Sequence, residues 1–108
     1  MDGEIPPEEV KAKIEDGDGV RIVDIRPPEQ FEEGHLPGAV NIPMQDLPAQ
    51  VQEYDWEDDV IVVCPIGQSS KQAAKLIKSY EGVEDDTDVR SMEGGYDAWN
   101  YGLEVEST

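Results

Sequence analysis

An α/β fold with a mostly parallel sheet is what this 108-residue sequence predicts. Three observations carry that expectation. Short apolar runs alternate with helical stretches, the rhythm of strand–helix–strand units. One run, Val60-Ile61-Val62-Val63, has four consecutive β-branched residues, which suits a strand covered on both faces. The chain also has the length of one ordinary domain, with no repeat, linker or low-complexity tract, so a single domain over 1–108 is expected.

Taken in order, Glu4-Ile5 reads as a short edge strand. Pro6-Pro7 followed by Glu8-Glu9 opens a helix, because proline is favoured in a first turn and acids stabilise the positive end. Val10, Ala12 and Ile14 carry it to about Glu15, and Asp16-Gly17-Asp18-Gly19 is a turn. Val20–Ile25 reads as a strand. A short helix over Pro27–Glu33 is expected to stop at Gly34, a natural C′ residue. After the Pro37-Gly38 turn, Ala39–Ile42 is a short strand halted by Pro43, and Asp46 is placed to cap a helix that buries Leu47 and Val51. The strand at Val60–Val63 leads through a loop, Cys64–Ser69, into a helix over Ser70–Tyr80. That helix should bury Ala73, Ala74, Leu76, Ile77 and Tyr80. Glu84–Asp88 reads as an acidic loop and Val89–Met92 as the last strand. Gly94-Gly95 is a turn, and Tyr96–Tyr101 a final short helix with Tyr96 and Trp99 in the core.

Charge narrows the function. Lys plus Arg number 8 and Asp plus Glu 26, a formal net charge of −18. Such a surface repels a phosphate backbone and an anionic bilayer, so neither nucleic acid nor membrane is an expected partner. The acids are spread along the whole chain, which predicts adaptation to a salt-rich cytoplasm where screening relieves the repulsion. No apolar stretch is long enough to span a bilayer. The opening Met1-Asp2-Gly3-Glu4 lacks the basic start and apolar run of a signal peptide, so a cytoplasmic location is expected. Cys64 is the one cysteine and His35 the one histidine, so no disulfide can form within the chain and no zinc spacing can be drawn.

The chemistry gathers at Cys64, placed where the best strand ends and a helix begins. Ligands of open α/β sheets bind outside the carboxyl ends of strands. A helix N-terminus presents unpaired amides and a positive dipole end, which lowers a thiol's pKa. In Cys64-Pro65-Ile66-Gly67-Gln68-Ser69-Ser70, Gly67 permits a tight turn that points successive amides at one centre. Pro65 has no N–H, so the donors are the amides of Ile66, Gly67, Gln68, Ser69 and Ser70, with two serine hydroxyls in addition. Asp24, near a strand end at the same sheet edge, is a candidate support for the loop. Arg26 is expected to pair with Glu29 or Glu33, or to bind substrate. Trp56 lies beside acids and Met44 follows Pro43, a place where it would line a pocket.

Three segments in this order resemble the rhodanese domain. Asp24-Ile25-Arg26 with Phe31 and Gly34-His35-Leu36-Pro37-Gly38-Ala39 is similar to the family's Asp-x-Arg followed by Gly-His-Ile-Pro-Gly-Ala. The cysteine loop is the second. Gly94-Gly95-Tyr96-Asp97-Ala98-Trp99 resembles the family's Gly-Gly-x-x-Ala-Trp. The resemblance implies about five mostly parallel strands with helices on both faces. It also implies a sulfurtransferase in which Cys64 takes the outer sulfur of thiosulfate or a similar small anionic donor. A persulfide forms there, and the sulfur passes to a thiol or a protein acceptor, with no metal or organic cofactor. His35 is structural on this resemblance. A persulfide relay between protein partners and a non-catalytic binding module are the alternatives. A thiol redox sensor is disfavoured, because the chain has no second cysteine to resolve a sulfenic acid. The related phosphatase loop needs an arginine six residues after the cysteine, where this chain has Ser70. Many rhodanese loops carry arginine one position earlier, where this chain has Ser69.

Overall fold

A computed structural model of the chain describes residues 3–16, 20–54, 56, 59–80, 83 and 87–103. Five strands form one sheet: β1 (Glu4–Ile5), β2 (Arg21–Asp24), β3 (Val40–Asn41), β4 (Asp59–Val63) and β5 (Asp88–Met92). Their spatial order is β1-β5-β4-β2-β3, and every neighbouring pair is parallel. Helices α1 (Pro7–Asp16), α2 (Pro28–Glu33), α3 (Leu47–Gln50) and α4 (Ser69–Ser79) supply the crossovers.

Alternation along β4 explains the two-faced core. Val60 and Val62, followed by Cys64, pack with Ala73, Ala74 and Ile77 of α4 and with Leu47 and Val51. Ile61 and Val63 point the other way, to Val10 of α1, Ile5, Leu36 and Trp99. The central strand is therefore buried on both sides, as four β-branched residues in succession require. Parallel pairing also brings all carboxyl ends of the strands to one edge, which is where β4 delivers Cys64.

Several local expectations change. Asp46 makes no side-chain cap; it ends a 3₁₀ turn, Met44–Asp46, that runs straight into α3. Gly34 stops α2 in an extended conformation, φ 161°, not a left-handed one. Its bare Cα accommodates Leu103, whose Cδ1 would lie 3.0 Å from an added Cβ. The final helix shrinks to a 3₁₀ turn, Gly95–Ala98, because Trp99 is extended. On α4, Ser70 is fully buried, whereas Leu76 and Tyr80 are only partly covered. The expected turn residues 17–19 and the acidic residues 84–86 lie outside the described residues.

Candidate active site

The loop after β4 closes tightly on its own cysteine. Gly67, at φ +83°, turns the chain so that its amide donates to Cys64 Sγ at 3.0 Å. The Ser70 amide, in the first turn of α4, donates to the same sulfur at 3.3 Å, and Ser70 Oγ lies 3.2 Å away. Cys64 is 1% exposed. Burial works against its ionised form, but hydrogen bonds from the Ser70 hydroxyl and the Ser70, Gly67 and Ile66 amides outweigh it. The thiol pKa is therefore held below the usual cysteine range. Gln68 and Ser69 are exposed at the rim, and the Gln68 carbonyl accepts from the Lys71 amide.

Behind Ser70 stands a group that the sequence reading missed. Ser91 Oγ is 2.6 Å from Ser70 Oγ, and both residues are fully buried. The register explains the meeting. Ser91 lies beside Val62 in the parallel ladder, so it shares the face that Val62 and Cys64 present to α4. A serine in a strand of buried residues needs a partner, but only the register reveals which one.

A second network ties down the loop from the opposite face. The fully buried Asp24 carboxylate accepts from Arg26 at 2.8 Å (Nη2 to Oδ2) and from the Tyr96 hydroxyl at 2.7 Å. The Arg26 guanidinium also reaches the Gly34 carbonyl and stacks 3.7 Å from the centre of the Tyr96 ring. Arg26 thus pairs with Asp24 rather than with Glu29 or Glu33, since two residues of extended chain bring the pair together at the strand end. Burial, together with the Asp24 charge, pushes the Tyr96 hydroxyl well above the ordinary tyrosine range and keeps it a donor. From Tyr96 the tie runs by backbone: its amide donates to the Cys64 carbonyl and the Asp97 amide to the Pro65 carbonyl, each at 2.9 Å. Gly95 lies so close that an added Cβ would sit 2.0 Å from the Cys64 oxygen.

His35 stands apart from the cysteine. It stacks on Phe31 with ring centroids 3.8 Å apart and bonds the Phe31 carbonyl through Nδ1. Trp56 donates its indole N–H to the Val51 carbonyl and packs on the core. Met44 lines a groove with Ile25, Pro27, Glu29 and Pro43. Among the described residues no cluster of three metal-ligating side chains occurs, and no helix is long and apolar enough to cross a membrane.

This arrangement, a cysteine cradled by loop amides between a central parallel strand and a helix, has known counterparts. The family model described as Rhodanese-like domain matches residues 6–101. The chain belongs to the rhodanese-like family. Among curated relatives of this rhodanese-like chain, the thiosulfate sulfurtransferase GlpE of Pseudomonas syringae pv. syringae (strain B728a) is 35% identical over 95 residues. That alignment spans 88% of this chain and 84% of that protein. YrkF of Bacillus subtilis (strain 168), provisionally named a sulfur carrier protein, is 32% identical over 75 residues, covering 69% of this chain and 40% of YrkF. A crystal structure of a rhodanese-like domain protein from Staphylococcus aureus superposes with a TM-score of 0.80 at 29% identity, over 97% of this chain and 99% of that one. The expected fold, a parallel five-stranded sheet with helices packed on both faces, is confirmed.

Proposed function

We propose that the protein is a sulfurtransferase that carries sulfur as a persulfide on Cys64, taking it from thiosulfate or a similar sulfane donor. The observation that supports this reading most is the cradle itself: a buried Sγ that accepts hydrogen bonds from the Gly67 and Ser70 amides with a serine hydroxyl beside it. A lowered thiol pKa makes Cys64 a nucleophile at neutral pH. Its thiolate attacks the outer sulfur of thiosulfate; the sulfur–sulfur bond of the donor breaks, sulfite leaves with the electron pair, and Cys64–S–S⁻ remains. A thiolate acceptor then attacks the terminal sulfur and restores the Cys64 thiolate. Charges balance in both halves, and no external oxidant is needed.

In this reading the amides of Ile66, Gly67 and Ser70 hold the negative sulfur in both states. Gln68 and Ser69, exposed at the rim, meet the donor. Asp24 and Arg26 are positioning residues that hold the loop through Tyr96. No cofactor enters these steps. The lone reduced cysteine and the acidic surface accord with a salt-rich cytoplasm. They also accord with partners that are sulfur donors and acceptors rather than nucleic acid or membrane.

Intact-mass measurement after incubation with excess thiosulfate, or with inorganic polysulfide, tests the reading. The expected result is a gain of one sulfur atom, reversed by cyanide and absent from Cys64→Ser. A folded protein that gains no sulfur from either donor overturns it. Likeness to YrkF favours a second reading, relay between protein partners. Much faster loading from a protein persulfide than from any small donor would select it.

A further inference from the structure

The deepest question about the cradle is which donor it accepts, and the cations answer it. The chain has eight lysines and arginines in all, and each of them lies among the described residues. Lys11 pairs with Glu15, while Lys13 and Arg90 share Asp59. Arg21 sits over the Tyr54 ring. Arg26, the cation nearest the sheet end, is held by Asp24, the Gly34 carbonyl and the Tyr96 ring. Lys71, nearest to Cys64 in sequence, turns to Glu4 at the β1 edge. Lys75 and Lys78 line a cavity with Gly3 and Val89 on that same edge. None of these side-chain contacts is made with a residue of the cysteine loop, Cys64–Ser69.

The mouth itself is neutral to acidic and partly apolar. Ile66, at the loop tip, is 57% exposed. On the β2 side lies a groove of about 550 Å³, lined by Ile25, Pro27, Pro28, Pro43 and Met44 with one charged residue, Glu29. Ile25 links it to the strand that carries the cysteine. Ile25 belongs to the same packed cluster as Cys64, with Met44 against it, and the Ile25 amide donates to the carbonyl of Val63. Its volume is that of a small-molecule site.

We infer that this mouth selects sulfur donors by charge, taking small organic persulfides with an uncharged body in preference to anionic donors such as thiosulfate. The inference rests on the persulfide reading of Cys64. A dianion that enters here meets Glu29, with no guanidinium or ammonium in the groove lining, on a molecule of net charge −18. With R–S–SH the Cys64 thiolate bonds the outer sulfur, and the sulfur–sulfur bond of the donor breaks with the electron pair leaving on the inner sulfur. Cys64–S–SH and R–S⁻ are the products, so a single negative charge is handled throughout. The apolar groove covers R.

The test compares two donors that differ by one carboxylate, the persulfide of N-acetylcysteine and that of its methyl ester, with Cys64 sulfuration rates read by intact mass. The ester should react at least about tenfold faster at low salt. At about 1 M KCl, where the Debye length is about 3 Å, at least about threefold should persist, because a carboxylate loses its water on entering the apolar groove whatever the salt, while repulsion by the surface charges is screened. Ser69→Arg should narrow the low-salt ratio at least about fivefold. Equal rates for the two donors, a ratio that collapses to one in molar salt, or a ratio unchanged in Ser69→Arg each overturn charge selection at the mouth. Failure of a folded protein to take sulfur from either persulfide or from thiosulfate overturns the persulfide reading, and the selection with it.

Discussion

At Cys64 the opposing effects can be weighed one atom at a time. Burial alone would raise the thiol pKa; four donors reverse the sign. A hydrogen bond to a charged group contributes about 1.5–3 kcal/mol, so losing one should move the pKa by about one unit or more. Ser70→Ala removes the hydroxyl and leaves the amide. The pH midpoint of Cys64 alkylation should therefore rise by about one unit, with a rate about tenfold lower at pH 7. Ser91→Ala acts through Ser70 and should move the midpoint the same way by less. Its readout is the pH profile, which a merely packing role for Ser91 would leave in place. Cys64 and its loop were legible in the sequence, because glycine, serines and a helix start beside one cysteine are local features. Ser91 was not, since its role exists only through pairing with Val62.

Between elements, the cysteine loop is held by contacts that exclude even a methyl group. A Cβ at Gly95 would meet the Cys64 oxygen at 2.0 Å and the Gly67 nitrogen at 2.7 Å, at a φ of +59°. Gly95→Ala should lower stability by about 2–4 kcal/mol in denaturant unfolding and should slow Cys64 sulfuration as the cradle opens. Tyr96→Phe removes the hydroxyl that donates to Asp24 and accepts from the Leu36 amide. A loss of about 1–3 kcal/mol is expected, with the Leu36 amide left unpartnered. Sequence reading placed Tyr96 in the core by helical spacing. The segment is instead a 3₁₀ turn, and its ring carries the tie between Asp-x-Arg and the loop. The short final helix and the Asp46 cap failed for one reason: local propensity over four or five residues is weak, and tertiary contacts overrule it.

Over the whole molecule, the surplus of acids sets the response to salt and pH. Self-repulsion at −18 destabilises the compact state, and screening relieves it, so the thermal midpoint should rise between about 0.1 M and 2 M KCl. An unchanged or lower midpoint would contradict a salt-adapted protein. Protonation works in two directions. As pH falls from neutrality, repulsion among carboxylates declines and stability should first rise. Asp59 opposes this at lower pH. Burial raises its pKa, but Lys13 and Arg90 lower it further, and the net shift is downward. A depressed carboxylate contributes stability above its unfolded pKa of about 3.9 and loses it as pH falls through the folded value. Unfolding curves against pH at low salt should therefore peak below neutrality and fall steeply under about pH 4.

The sequence by itself determined the alternation of strands and helices, the two-faced central strand, the acidic composition and the cysteine with its loop between strand and helix. These follow from periodicity, composition and short-range spacing, all of which are local. Only the tertiary structure decided that Arg26 serves Asp24 and Tyr96, that Ser91 stands behind Ser70, and that no lysine or arginine lines the groove of Ile25 and Met44. Those facts depend on strand order and register. Residues such as Asp24 and Tyr96, 72 positions apart, meet because β2 and the turn after β5 end at the same edge of the sheet. No local pattern encodes that meeting; the closing of the parallel sheet creates it.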